Sequence, residues 1–281
     1  MIAQALELTD QMPDLLPQKV QVQYGLCSAR QAYRQIHVPA SQALLEAAQR
    51  RISFEEFFIF SLGLQLSKAR RTRQKKTPFS ETDLTAFYAA LPFTLTRAQQ
   101  QVIGEILQDF AQGRPMCRLV QGDVGSGKTM VAAAAIVCAA KNGVQSALLA
   151  PTEILAEQHF QSLAPLFERL GLRCGLLTGS QRVSEKRALR AALQAGELEI
   201  VIGTHALLSG TTAFANLGLV VTDEQHRFGV AQRAALAQKG ELPHLLLLSA
   251  TPIPRTLSMI LYGDLDVSIL DEQPPGRQPV D

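Results

Sequence analysis

The sequence predicts an α/β fold with a central, mostly parallel sheet, preceded by a helical segment. Three observations carry this. From Phe93 onward short apolar runs alternate with helical stretches, the pattern of a parallel sheet covered by helices. Gly122-Asp123-Val124-Gly125-Ser126-Gly127-Lys128-Thr129 fits G-x-x-x-x-G-K-[ST] between an apolar run and an Ala-rich helical run, the context a phosphate-cradling P-loop needs. An acidic pair, Asp223-Glu224, closes another apolar run, Leu217 to Thr222.

Residues 1–92 read as helical and carry no Gly-rich phosphate loop. Ser28 caps a short helix through Ile36, which Pro39 ends. Ser41 caps another, Gln42 to about Gln49. Ser53-Phe54-Glu55-Glu56 is a capping box for a third. In that helix Phe54, Phe58, Leu62 and Leu66 recur at helical spacing, with Phe57 and Ser61 filling the stripe. So oily a helix must pack on something. It ends in Lys68, Arg70, Arg71, Arg73, Lys75 and Lys76 with no acid between them. Cations at a helix C-terminus complement the macrodipole, and the same run suits a nucleic-acid backbone; both readings stand. Pro78 and Pro92 bracket a shorter helical piece and mark a boundary.

Beyond it, Thr96-Arg97-Ala98-Gln99 is a further capping box. Val102, Ile103, Ile106, Leu107 and Phe110 give its helix an apolar face, and Gly113 stops it. Strands are predicted over 118–121, 146–150, 174–177, 200–203, 217–222 and 245–249. Helices are predicted over 128–141, 154–170, 185–195 and 230–239. In such a sheet ligands lie beyond the carboxyl ends of the strands, where the P-loop sits.

With 281 residues, 47% of them hydrophobic, the chain can bury a core of one large or two modest domains. Its 27 Lys and Arg against 25 Asp and Glu leave +2, which neither demands nor excludes a nucleic-acid partner. Cys27, Cys117, Cys138 and Cys174 form no C-x-x-C pair, so reduced thiols are expected rather than zinc or disulfides. No basic n-region leads into an apolar stretch, and no apolar run reaches bilayer length. A soluble cytoplasmic protein is expected.

The chemistry follows from residue types. P-loop glycines let successive N–H groups form a phosphate nest. Lys128 would reach the β- and γ-phosphates of a triphosphate, and Thr129 would ligate Mg²⁺. The following helix adds its positive N-terminal end. Asp223 would hold the Mg²⁺ shell and Glu224 would orient or deprotonate the attacking water. Adjacent carboxylates on a buried strand end are costly without a cation nearby. Ser249-Ala250-Thr251, at the end of Leu245–Leu248, places small hydroxyls to bond Gln225 or His226 and sense the nucleotide state. His226 has no second His at metal-ligand spacing, so it is given no metal role.

In this order, P-loop, Asp-Glu-x-His and Ser-Ala-Thr resemble the superfamily 2 helicases. Phe93-Thr94-Leu95-Thr96-Arg97-Ala98-Gln99 is similar to the adenine-recognition Q motif. Ala150-Pro151-Thr152-Glu153-Ile154-Leu155-Ala156-Glu157-Gln158-His159 is similar to motif Ia. Thr178-Gly179 and Gly203-Thr204-His205-Ala206-Leu207-Leu208 sit where DNA-backbone contacts belong. Asp223 to Val230, with Gln232-Arg233 and then Ala250 to Thr256, resembles more narrowly the RecG-type ATP-dependent DNA helicases, which remodel forks and Holliday junctions. The transcription-repair coupling translocases are related, but D-E-E-H is expected there. Gln225 favours the RecG type, as do Pro274-Pro275-Gly276-Arg277, Tyr24-Gly25-Leu26 and Ile36-His37-Val38-Pro39. The resemblance covers essentially the whole chain.

It implies a RecA-like lobe over 93–273, a helical lead-in over 1–92 and the start of a linker over 274–281. It implies that Phe93 and Gln99 contact adenine, and that Gly122 to Thr129 hold the phosphates of ATP. Lys128, Asp223 and Glu224 would be catalytic, with Thr129 and Asp223 on Mg²⁺. Gln225, His226, Arg227, Phe228, Ser249 and Thr251 would couple DNA to hydrolysis. Thr152, Gly179 and Thr204 would touch the backbone of branched or single-stranded DNA. Such motors bind ATP between two RecA-like lobes and carry a junction-binding wedge domain. The chain is therefore expected to be a fragment of a parent that supplies both, unable to unwind alone. A nucleotide- or DNA-binding module with little turnover is the alternative.

Overall fold

The computed structural model describes residues 6, 13–207, 209–223, 240, 242–250 and 265–272. The chain forms two compact units that divide after Ser67.

The first unit is helical. Helix α1 (Gln18–Tyr24), not read from the sequence, is followed by α2 (Ala29–His37). The Ser28 hydroxyl accepts from the Gln31 N–H at 3.3 Å, which is the expected cap. Helix α3 runs without a break from Gln42 to Thr72, so the two helices expected on either side of Ser53 are one. No Gly or Pro precedes Ser53 to stop the first, and Arg51 explains why the helix continues. Its guanidinium is 1% exposed; it pairs with Glu55 one turn along and with Asp14 at 2.6 Å. Breaking a buried pair costs about 3–5 kcal/mol, whereas an N-cap is worth about 1 kcal/mol. The Tyr24 and Phe54 rings pack with centroids 4.9 Å apart. Of the expected apolar stripe, Leu62 and Leu66 stay about half exposed.

The second unit is the α/β body. Among the described residues its sheet has seven strands: β1 (Cys117–Gly122), β2 (Gln145–Leu149), β3 (Cys174–Leu177), β4 (Ile200–Gly203), β5 (Leu217–Thr222), β6 (His244–Ser249) and β7 (Asp266–Leu270). Their order is β3-β4-β2-β5-β6-β1-β7, and every neighbouring pair is parallel. The first six are the strands read from the sequence. The edge strand β7 was missed because Asp266 and Ser268 interrupt its apolar pattern. Those polar residues have partners. Asp266 takes Lys68 at 3.0 Å, and Ser268 shares the Arg118 guanidinium with Asp109 and Glu105.

Helices α4 (Thr85–Ala90), α5 (Arg97–Ala111), α6 (Lys128–Lys141), α7 (Glu153–Arg169) and α8 (Val183–Gln194) flank the sheet. The helix expected over 230–239 lies outside the described residues. In α6 every residue from Val131 to Ala139 is buried, as an all-round apolar helix must be. Phe79, Leu84 and Phe87 pack with Ile103, Ile106 and Phe110 in the same core as α6. Two of the basic residues are engaged in this unit, Lys68 with Asp266 and Lys76 with the Leu242 carbonyl at 3.0 Å. Among the described residues no helix is long and apolar enough to cross a membrane.

Candidate functional site

Strand order gathers the chemistry. Strands β5, β6 and β1 are neighbours, with Thr222 opposite Leu247 and Gln121 opposite Ser249. Asp223, Ser249 and the P-loop therefore leave adjacent strands at the same carboxyl edge. The neighbours β2, β4 and β3 bring Thr152, Thr204 and Gly179 to that same edge. Expected nucleotide and DNA residues thus form two adjoining groups, with Asp223 at their border.

The P-loop is closed on itself. Lys128 Nζ donates to the carbonyls of Gly122 and Asp123, both at 2.7 Å. Asp123 Oδ1 accepts from the Val124 N–H at 2.7 Å. Gly127 has φ +83°, the left-handed region that glycine adopts without strain. Ser126 Oγ is buried and has no hydrogen-bond partner among the described residues. Left-handed turns that aim amides inward, an ammonium and a spare buried hydroxyl fit a phosphate chain. The Thr129 hydroxyl and the Asp223 carboxylate are hard oxygen donors of the kind Mg²⁺ takes.

Gln99 is 3% exposed and serves two structures at once. Its Oε1 accepts from the Thr96 N–H at 2.9 Å while the Thr96 hydroxyl accepts from the Gln99 N–H at 3.2 Å, the capping box read from the sequence. Its Nε2 donates to the Ser126 carbonyl of the P-loop at 2.8 Å. Each end of the amide keeps one unused hydrogen-bonding position by valence. Phe93 is half exposed and lines a cleft of about 510 Å³ with Tyr88, Leu91, Pro92, Leu95 and Gln100.

Asp223 is bound from two sides. Its N–H donates to the Leu149 carbonyl at 2.9 Å, and its Oδ2 lies 2.7 Å from Nε2 of His159 on α7. Glu224, Gln225, His226, Arg227, Phe228 and Thr251, to which catalytic or coupling roles were given, lie outside the described residues, as does Leu208.

The expected DNA-contacting residues are structurally engaged. The Thr152 hydroxyl caps α7, accepting from the Leu155 N–H at 3.3 Å. Thr204 is 7% exposed, and its N–H donates to the Leu177 carbonyl. The N–H groups of Gly179 and Ser180 both donate to Glu153 Oε1, at 2.8 and 3.1 Å. The Ser180 side chain first, and then those amides, hold the Glu153 carboxyl below its usual range. No role was assigned to Glu153 or His159 from the sequence. Both stand in the stretch likened to motif Ia, but no spacing rule links His159 to a carboxylate 64 residues away.

Comparison with known proteins agrees with this geometry. A family profile described as DEAD/DEAH box helicase matches residues 96–260. An ATP-dependent DNA helicase RecG of Synechocystis sp. is 50% identical over 96% of this chain and 33% of its own length. The RecG of Bacillus subtilis is 46% identical over 100% of this chain and 42% of its own. The chain thus spans well under half the length of these curated relatives. Among solved structures, RecG bound to a three-way DNA junction aligns with TM-score 0.81 and 40% identity over 96% of this chain and 36% of that one. The helicase MrfA bound to DNA shares the fold at TM-score 0.53 and 21% identity, over 72% of this chain and 31% of its own. The resemblance to RecG-type helicases drawn from the motifs is borne out, and so is the RecA-like lobe after a helical segment.

Proposed function

The chain belongs to the DEAD/DEAH box helicase family, and from that premise we propose that it is the ATP-binding motor lobe of a RecG-type DNA helicase. Its parent acts on branched DNA, forks and Holliday junctions, in cytoplasmic recombination and repair. The observation that carries this reading is the adjacency of the P-loop, Ser249 and Asp223 on three neighbouring strand ends, in a chain half identical to a RecG. Residues 93–273 are the lobe, 1–92 the lead-in and 274–281 the start of the linker. A second RecA-like lobe and a wedge domain complete the parent.

ATP and Mg²⁺ are the cofactors of this reading. Mg²⁺ supplies charge neutralisation at the phosphates. Lys128 exchanges its two loop carbonyls for the β- and γ-phosphate oxygens. Gly122, Asp123, Val124, Gly125, Ser126 and Gly127 hold the chain of phosphates. Thr129 and Asp223 hold the cation, and Glu224 orients the attacking water. Phe93 and Gln99 meet the adenine. Gln225, His226, Arg227, Phe228, Ser249 and Thr251 relay the nucleotide state, and Thr152, Gly179 and Thr204 lie along the DNA backbone.

Titration of the chain with a fluorescent ATP analogue and with single-stranded DNA tests the proposal. Mg²⁺-dependent nucleotide binding is expected, together with binding of the DNA, while junction preference belongs to the parent's wedge domain. Nucleotide binding indifferent to Mg²⁺, or no binding of DNA, would overturn it.

A further inference from the structure

We infer that helix α7 is a strut joining nucleic-acid contact to divalent-cation binding, with His159 as the positioning residue for Asp223. The inference rests on the reading of Asp223 as a cation ligand and of the Gly179 loop as a DNA contact.

Each end of the strut is visible. At its first residue, Glu153 Oε1 accepts from two successive amides, Gly179 and Ser180. Lys186 Nζ holds the same loop by donating to the Gly179 carbonyl at 2.8 Å. The packing is close: a Cβ on Gly179 would lie 2.7 Å from Glu153 Oε1. Six residues on, about 9 Å along the axis at 1.5 Å per residue, His159 meets Asp223. A charged carboxylate can only accept, so the proton of that bond sits on His159 Nε2. The bond fixes Oδ2 and with it the orientation of the carboxylate at the strand end. The Asp223 N–H bond to Leu149 ties the same residue to the strand that feeds α7.

The two ends compete for different ligands through one rigid element. A DNA phosphate seeking the Gly179 and Ser180 amides needs the N–H groups that Glu153 occupies, and two anions do not share them. Phosphate binding therefore releases the first turn of α7 from the loop. The helix can then shift, and His159 carries that shift to Asp223. DNA occupancy thereby changes the cation affinity of the nucleotide site, without requiring the Arg227-Phe228-Gly229 segment.

The test is Mg²⁺ titration of fluorescent ADP-analogue binding to the full chain, with and without single-stranded DNA. Nucleotide affinity in EDTA is the internal control. In the unaltered protein DNA is expected to change the apparent Mg²⁺ affinity by about 5-fold or more, the lower end of usual couplings. His159→Ala and Glu153→Gln should each abolish that change. His159→Gln, which keeps a side-chain N–H for Asp223, should restore most of it. If His159→Ala does not fold, the Glu153→Gln and His159→Gln pair decides. Asp223→Asn separates the two readings. If it leaves the Mg²⁺ dependence intact, the cation-ligand reading fails. If it removes the dependence while His159→Ala and Glu153→Gln keep the DNA-linked change, or if the unaltered protein shows none, the strut is overturned.

Discussion

Gln99 and Gly127 meet across the P-loop so closely that a Cβ on Gly127 would overlap the Gln99 amide nitrogen. The start of helix α5 and the phosphate loop are therefore one packed unit, tied by the Gln99 bond to the Ser126 carbonyl.

Gly127→Ala should damage both. Alanine at φ +83° is strained by about 1–2 kcal/mol, and expelling Gln99 breaks its bonds to Thr96 and Ser126, worth about 1 kcal/mol each. We expect a stability loss of about 2–4 kcal/mol in urea unfolding and at least about a 10-fold loss of nucleotide affinity, equivalent to 1.4 kcal/mol. A variant that binds nucleotide normally would show that Gln99 does not brace the loop.

Lys128→Ala should act on binding more than on folding. The ammonium is part-exposed and donates to two loop carbonyls that water can satisfy. Nucleotide affinity is expected to fall by at least about 10-fold with the unfolding midpoint little changed. Unaltered affinity would remove Lys128 from the phosphate site.

Arg118→Ala should be among the most destabilising single changes. The guanidinium neutralises Asp109 at 2.7 Å and Glu105 at 2.8 Å, and it joins β1 to β7 through Ser268. Removing one partner of a buried pair costs about 3–5 kcal/mol. Urea unfolding checks this, and a change below about 1 kcal/mol, the worth of a surface pair, would contradict the burial.

His244 should make stability depend on pH. Burial above all, and then the Lys76 charge, push its pKa down to about 3 from 6.5. The ring lies between Phe79 and Phe110 and accepts the Met116 N–H at 3.0 Å. Between those pH values the unfolded chain binds the extra proton and the folded one does not. The contribution is complete above about pH 6.5 and is lost as pH falls toward 3, by up to about 1.4 kcal/mol per unit. His244→Asn keeps an acceptor for Met116 and removes the titration. Urea midpoints at pH 7, 6 and 5 should fall less steeply for that variant; parallel slopes would refute the assignment.

Local signals were legible where local physics decided. The Thr96–Gln99 box, the P-loop between strand and helix, and six strands of the sheet need only neighbouring residues to declare themselves. Ser53 misled because its capping box is worth less than the Arg51 pairs with Asp14 and Glu55, and Asp14 is 37 residues away. Strand β7 escaped because Asp266 and Ser268 are satisfied by Lys68 and Arg118, partners no periodicity reveals.

From sequence alone this protein is an α/β lobe of helicase type, with its phosphate-loop motif, its acidic strand end and the residues expected beside adenine named. Only the tertiary structure decided that Gln99 braces the P-loop, that Glu153 holds the amides expected to meet DNA, and that His159 holds Asp223. The physical reason is range. Helix caps, glycine turns and strand patterns are set within a few residues. Strand order is set by how the buried faces pack, and it alone brought β2 beside β5 and so His159 to Asp223.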